Sequence, residues 1–97
     1  IVVTLILSCA LIDPKYAILG TWRWESGEYW DEFTFNADNT VLFNTSLGYS
    51  SKGTYTCTKT HITMYWSTST LTVEYEKTSG NQIIITIEGE TYIYKKQ

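Results

Sequence analysis

From Gly20 onward the chain alternates. Large apolar side chains fall on every second residue: Trp22 and Trp24, Phe33 and Phe35, Val41 and Phe43, Tyr55 and Cys57. The pattern runs on through Ile62, Met64 and Trp66, then Leu71, Val73 and Tyr75. It ends with Ile83, Ile85 and Ile87, followed by Tyr92 and Tyr94. Thr, Ser, Glu and Lys hold most positions between them. Successive side chains of a strand point to opposite faces, so this period of two describes strands with one face buried. No segment keeps a 3.6-residue period over the roughly ten residues that a helix needs. At most, residues 13–19 hold one helical turn, with Asp13 as cap and Pro14 in the first helical position.

Turn chemistry divides the alternation into eight runs: residues 21–25, 29–36, 41–45, 52–59, 62–66, 71–77, 82–87 and 91–95. Ser26-Gly27, Asp38-Asn39, Gly80-Asn81 and Glu88-Gly89 mark tight reversals, and residues 46–51 form the longest loop in the pattern. Connections this short make neighbours in sequence pair antiparallel in space. An open sheet would leave two edges, and the chain has no proline after Pro14 to guard them. Closure removes the edges altogether. The expected fold is therefore all-β: a small eight-stranded antiparallel up-and-down barrel. Trp30, Leu42, Tyr65, Ile84 and Ile93 fall on its outer parity. Strands of about five to seven residues send only two or three side chains inward each. With so many of those aromatic, the interior should fill itself and leave a shallow mouth, with Trp24, Tyr29 or Tyr49 near its rim.

The first nine residues have a different character. IVVTLILS is an apolar run closed by Ile6-Leu7-Ser8, and Cys9 follows at once. This reads as the end of a bacterial lipoprotein signal, whose basic start would lie upstream and whose cysteine takes a diacylglycerol after cleavage. The same run is β-branched enough to be a buried strand, but the polar stretch after it suits a tether. The apolar run breaks at Asp13-Pro14, short of the roughly 20 residues a membrane-spanning helix needs. The expected organisation is signal remnant at 1–8, tether at 9–17 and barrel domain at 18–97. Ala10 after the cysteine, in place of the aspartate that retains lipoproteins at the inner membrane of enterobacteria, points to the outer membrane. The expected localisation is the cell envelope, with the membrane reached through a lipid on Cys9.

Net charge of −3 and scattered lysines give no basic stripe, which excludes nucleic acid as a partner and any electrostatic hold on anionic lipid. Cys9 and Cys57 could form a disulfide in an exported protein, but an acylated Cys9 leaves Cys57 as a lone, packed thiol. His61 stands alone, and no Gly-x-Ser-x-Gly elbow accompanies it, so it reads as structural or solvent-facing. Glu25, Glu28, Asp31 and Glu32 gather at the first hairpin. Only Asp31 falls on the inner parity, and the group reads as a solvated rim, with a weak calcium site as the lesser alternative. No activated nucleophile or acid/base pair can be assembled, so no enzyme and no cofactor are expected. The candidate ligand contacts are the aromatics that parity leaves at the rim, outside or in a loop: Trp24, Tyr29, Trp30, Tyr49 and Tyr65.

The order of several short motifs carries a resemblance. Leu19-Gly20-Thr21-Trp22 opens the first strand, and Phe33-Thr34-Phe35-Asn36-Ala37-Asp38-Asn39-Thr40 makes a strand and turn. Gly53-Thr54-Tyr55 opens the middle strand, and Tyr92-Ile93-Tyr94-Lys95 closes the chain. Over residues 18–96 this resembles the small bacterial lipocalin-like domains borne on lipoproteins of unknown function. The Gly-x-Trp opening also resembles the first-strand motif of true lipocalins. Asn39 stands where the family usually has glycine, and asparagine tolerates the left-handed conformation such a turn requires. The resemblance implies a lipocalin-like barrel without a deep calyx, since the chain is far shorter than a true lipocalin. The expected function is a lipid-anchored, non-catalytic binding or interaction module, monomeric, with a glycan or protein as partner. The alternative is a carrier of a small apolar ligand inside the barrel, an analogy at the level of fold.

Overall fold

A computed structural model describes residues 14–97. A short helix, α1 (Pro14–Ile18), leads into eight strands: β1 (Gly20–Ser26), β2 (Tyr29–Phe35), β3 (Thr40–Thr45) and β4 (Ser50–Cys57), then β5 (His61–Tyr65), β6 (Thr70–Ser79), β7 (Gln82–Ile87) and β8 (Glu90–Lys96). Each strand pairs antiparallel with the next, and β8 returns to β1, closing an up-and-down barrel.

The turns explain why neighbours pair so tightly. Between β1 and β2 only Gly27 and Glu28 intervene, with Gly27 at φ 61° in the first position. Between β7 and β8 both central residues, Glu88 and Gly89, have positive φ. These backbone twists match the twist of the flanking strands. The β2–β3 turn holds Asn39 at φ 69°, with the Asn39 N–H donating to the Asn36 carbonyl at 3.1 Å. Asp38 fixes the same turn by accepting from the Thr40 hydroxyl at 2.6 Å. The β3–β4 connection repeats this geometry, with Gly48 at φ 88° in the left-handed position. What reads in sequence as the longest loop is thus a tight reversal, and β4 begins at Ser50.

The expected parity holds along every strand. Trp22, Phe33, Phe35, Val41, Tyr55, Ile62, Met64, Val73, Tyr75, Ile83, Ile85 and Tyr94 form the buried core. Trp24, Phe43, Cys57, Trp66, Leu71, Ile87 and Tyr92 pack on it from the partly buried zone. The addition is Ile18. It ends α1, is fully buried, and accepts a 2.8 Å hydrogen bond at its carbonyl from Trp22 Nε1. Lys15 Nζ also donates to the Ala37 carbonyl at 3.2 Å. Helix α1, at the expected helical turn, spans the boundary between the expected tether (9–17) and the expected barrel domain (18–97) and caps one end of the barrel. Asp13, Cys9 and the apolar run before them lie outside the described residues.

The seam between β1 and β8 is the shortest ladder. Trp22 stands opposite Lys96 and Arg23 opposite Lys95, and the Gln97 N–H adds a 2.9 Å bond to the Thr21 carbonyl. Above that point the strands are joined by side chains: the rings of Trp24 and Tyr92 meet edge to face at 5.3 Å.

Candidate functional site

Strand direction divides the barrel into two ends. Helix α1 and the β2–β3, β4–β5 and β6–β7 connections lie at the floor; the β1–β2, β3–β4, β5–β6 and β7–β8 turns surround the other end. Below the middle the interior is solid, since Trp22, Phe35, Ile62, Met64, Ile83 and Ile85 are all at most 1% exposed. At the turn end the packing stops short and leaves an open cavity of about 330 Å³. The mouth is larger than the shallow opening expected. It falls at the lower bound of small-molecule sites, about 300 Å³.

The lining follows from parity. Phe33 and Phe43 come from the inner faces of β2 and β3, and Leu71 and Ile87 from β6 and β7. Trp66, just past β5, folds its ring inward over Gly53. A Cβ at Gly53 would run into the Tyr65 carbonyl and come within 2.8 Å of the indole, so glycine is what allows that approach. Tyr49 packs on Phe43 at the rim, ring centroids 6.1 Å apart. Hydroxyls of Ser51, Ser67, Thr68 and Ser69 add polar edges.

One carboxylate faces this cavity. Asp31 is half-buried on the inner face of β2, beside Tyr94 of β8. Tyr94 donates to Asp31 Oδ1 at 2.6 Å, and Tyr29 donates to Oδ2 over a longer 3.4 Å. Burial pushes the Asp31 carboxyl above the ordinary carboxylate value, while the two tyrosine hydrogen bonds pull it back in part. Burial, reinforced by Asp31, also raises the Tyr94 hydroxyl well above 10.0. The other carboxylates of the expected rim group separate from it. Glu32 Oε2 lies 2.7 Å from Arg23 Nη2 on the outer wall, and Glu25 lies 3.6 Å from Arg23 Nη1. Glu28 sits in the β1–β2 turn. Among the described residues, no group of three His, Cys, Asp or Glu side chains could hold a metal ion.

The structure distributes the five aromatic candidates. Tyr49 lines the mouth and is 59% exposed, and Tyr29 stands beside it through Asp31. Trp24 is inward and engaged with Tyr29 and Tyr92, so it supports the wall without lining the cavity. Trp30 lies outside, but its face is already covered by the Arg23 guanidinium at 4.1 Å. Tyr65 ends β5 at the same end of the barrel, but it is exposed on the outer face and does not line the cavity. Sequence parity marked Asp31 as inward. It gave no sign that Asp31 and Tyr94, 63 residues apart, share a site. Trp66, Phe43, Leu71 and Ile87 were legible only as core residues.

Elsewhere, Cys57 Sγ and Tyr75 Oη are 3.3 Å apart, and Tyr75 also donates to the Thr58 carbonyl at 2.7 Å. His61 is exposed at the start of β5, its Nε2 3.9 Å from Glu74. An open groove of about 1220 Å³ runs between α1 and the outer face of β6 and β7. Charges of both signs line it, including Lys59, Glu74, Glu76 and Lys77, and it gathers no focused set of aromatic or hydrogen-bonding groups. The smaller mouth is the better-built site.

No protein-family model, curated protein or solved structure matches this chain.

Proposed function

We propose that this chain is a non-catalytic binding module of the bacterial cell envelope, lipid-anchored through Cys9, whose ligand site is the barrel mouth. The observation that carries the reading is the contrast inside the barrel. The floor and middle are packed to exclusion, yet the turn end keeps a cavity of about 330 Å³ walled by Phe33, Phe43, Trp66, Leu71 and Ile87. Concave, mostly apolar sites with a few convergent polar groups are where small ligands bind. The lipocalin-like order of motifs and the apolar run before Cys9 support the envelope assignment. Covalent lipid would supply the membrane link that the chain's acidity does not. An apolar cargo is a second reading, favoured by the lining alone; the packed floor confines it to the open mouth of about 330 Å³.

Two measurements test this. Mass spectrometry of the membrane fraction from a bacterial host should find Cys9 as the acylated N-terminus, and Cys9→Ser should release the protein. A soluble product that retains residues 1–8 would refute the anchor. Titration with small aromatic compounds, read by tryptophan fluorescence, should show one-to-one binding that Trp66→Leu weakens. Unchanged fluorescence and chemical shifts across such a panel would refute the mouth as a site.

A further inference from the structure

We propose that the mouth selects a small organic cation, a primary ammonium group held by Asp31 with its apolar body against Phe43, Tyr49 and Trp66. This rests on the mouth being the binding site and names the chemistry it takes. Three observations converge on it. The first is Asp31 itself, a half-buried carboxylate facing the cavity. Its two hydroxyl donors are Tyr94 at 2.6 Å and Tyr29 at 3.4 Å, so acceptor capacity remains on both oxygens. Among the described residues no cation pairs with it. Arg23, on the neighbouring strand, is engaged on the outer wall by Glu32 at 2.7 Å and by the Trp30 ring at 4.1 Å.

The second observation is the wall. Aromatic faces present negative charge density to a cation, and the mouth is lined by Phe33, Phe43, Tyr49 and Trp66. A neutral apolar guest would strip water from the carboxylate and give nothing back, whereas an ammonium restores a charged hydrogen-bond partner. An anionic guest would meet a like charge on the wall of the cavity.

The third is the distribution of charge along the barrel axis. Two of the mouth turns, β1–β2 and β7–β8, carry Glu25, Glu28, Glu88 and Glu90 within two residues, and no lysine. Of the six lysines, Lys15, Lys59, Lys77, Lys95 and Lys96 lie towards the floor, where Asp38, Glu74 and Glu76 offset part of their charge, and Lys52 stands on β4 opposite Leu42. The Tyr92 hydroxyl, 2.9 Å from Glu90, is pushed up in pKa chiefly by that hydrogen bond, then by burial and the nearby charges of Glu90, Asp31 and Glu88. Acidic turns beside a carboxylate on the cavity wall raise the local concentration of cations.

The test uses three probes of one shape and different charge: phenethylamine, phenethyl alcohol and hydrocinnamate. Each is titrated into the full chain by calorimetry and by proton–nitrogen NMR. Phenethylamine should bind about ten-fold tighter than the alcohol, the scale of one charge-assisted hydrogen bond, and hydrocinnamate should bind weakest. Asp31→Asn should reduce the amine to the affinity of the alcohol. Tyr94→Phe, which keeps the carboxylate, should retain a preference for the amine. Circular dichroism verifies that both variants fold, and the wild-type comparison decides the sign without them. Alcohol or hydrocinnamate binding as tightly as the amine would overturn the inference while leaving the mouth as a ligand site. A preference for the amine that survives in Asp31→Asn would also overturn it. Failure of all three probes to perturb mouth resonances would reject the mouth reading and this inference together.

Discussion

Trp22 and Trp30 are both tryptophans on paired strands, yet they stand in opposite worlds. Trp22 is fully buried, and its indole N–H is tied to the Ile18 carbonyl at 2.8 Å. Trp30 lies half-exposed on the outer wall under Arg23. Trp22→Ala should destabilise the fold by about 3–5 kcal/mol, as for large aromatics removed from a core. Trp30→Ala should cost about 0.5–1 kcal/mol, the worth of an exposed cation–π contact. Urea midpoints compare the two, and equal midpoints would show that parity does not sort the faces. Two aspartates oppose each other in the same way. Asp31 is raised by burial, so the folded state holds its proton more tightly than the unfolded state. Its contribution to stability falls as pH rises from 3.8 through the raised value. Asp38 is lowered, chiefly by hydrogen bonds from Thr40, so its contribution is present above 3.8 and is lost as pH falls. Tyr94 and Tyr75 are both raised by burial from 10.0. Unfolding lets them ionise, so stability should decline as pH rises above 10.0, and Tyr94→Phe should flatten that decline in thermal melts.

At the scale of elements, the turns and the cap set the geometry. Asn39 sits at φ 69°, a conformation that costs a residue with a Cβ and no local hydrogen bonding about 1–2 kcal/mol. Asn39→Gly should leave stability level or slightly raised, and Asn39→Val should lower it by that amount in chemical denaturation. Gly53 has the reverse problem, a lack of room. Gly53→Ala should force the Trp66 ring away from β4 and cost about 1–3 kcal/mol, as overpacking does. It should also blue- or red-shift the fluorescence of Trp66; an unshifted, fully stable variant would show that the indole does not rest there. Helix α1 is too short to be stable alone. It persists because Ile18 fills the barrel floor and Trp22 holds its last carbonyl.

For the molecule as a whole, closure is the most vulnerable feature. The β1–β8 ladder rests on Arg23, Trp22 and Thr21 facing Lys95, Lys96 and Gln97. Removing residues 95–97 takes away one side of that ladder and exposes two strand edges at once. The truncated chain should lose cooperative unfolding and self-associate through those edges, seen by sedimentation. A monomeric truncation with an unchanged melting curve would mean that the Trp24–Tyr92 contact alone keeps the seam closed. Charge acts at the same scale: Glu25, Glu28, Glu88 and Glu90 stand at two mouth turns and five of the six lysines lie towards the floor, so the barrel presents an acidic opening to solvent although the net charge is only −3.

Period two and turn chemistry are local properties, and the chain states them residue by residue. They determined eight strands, their order, the inward set from Trp22 to Tyr94, and even the left-handed Asn39. The β3–β4 turn is shorter than its composition implies, because Ser50 and Ser51 carry a loop composition while their backbone pairs with Asn44 and Phe43. Ile18 belongs to the core without a signal in the alternation, because it precedes the first strand and has no partner in the pattern. The mouth was beyond sequence for a different reason. Whether inward side chains fill a barrel depends on the height at which each stops and on what stands across from it. Asp31 and Tyr94 meet only because β8 curls back to β1 and carries Tyr94 across the seam to the carboxylate. A strand pattern says which face a residue takes; only closure of the sheet says which residues share the space inside.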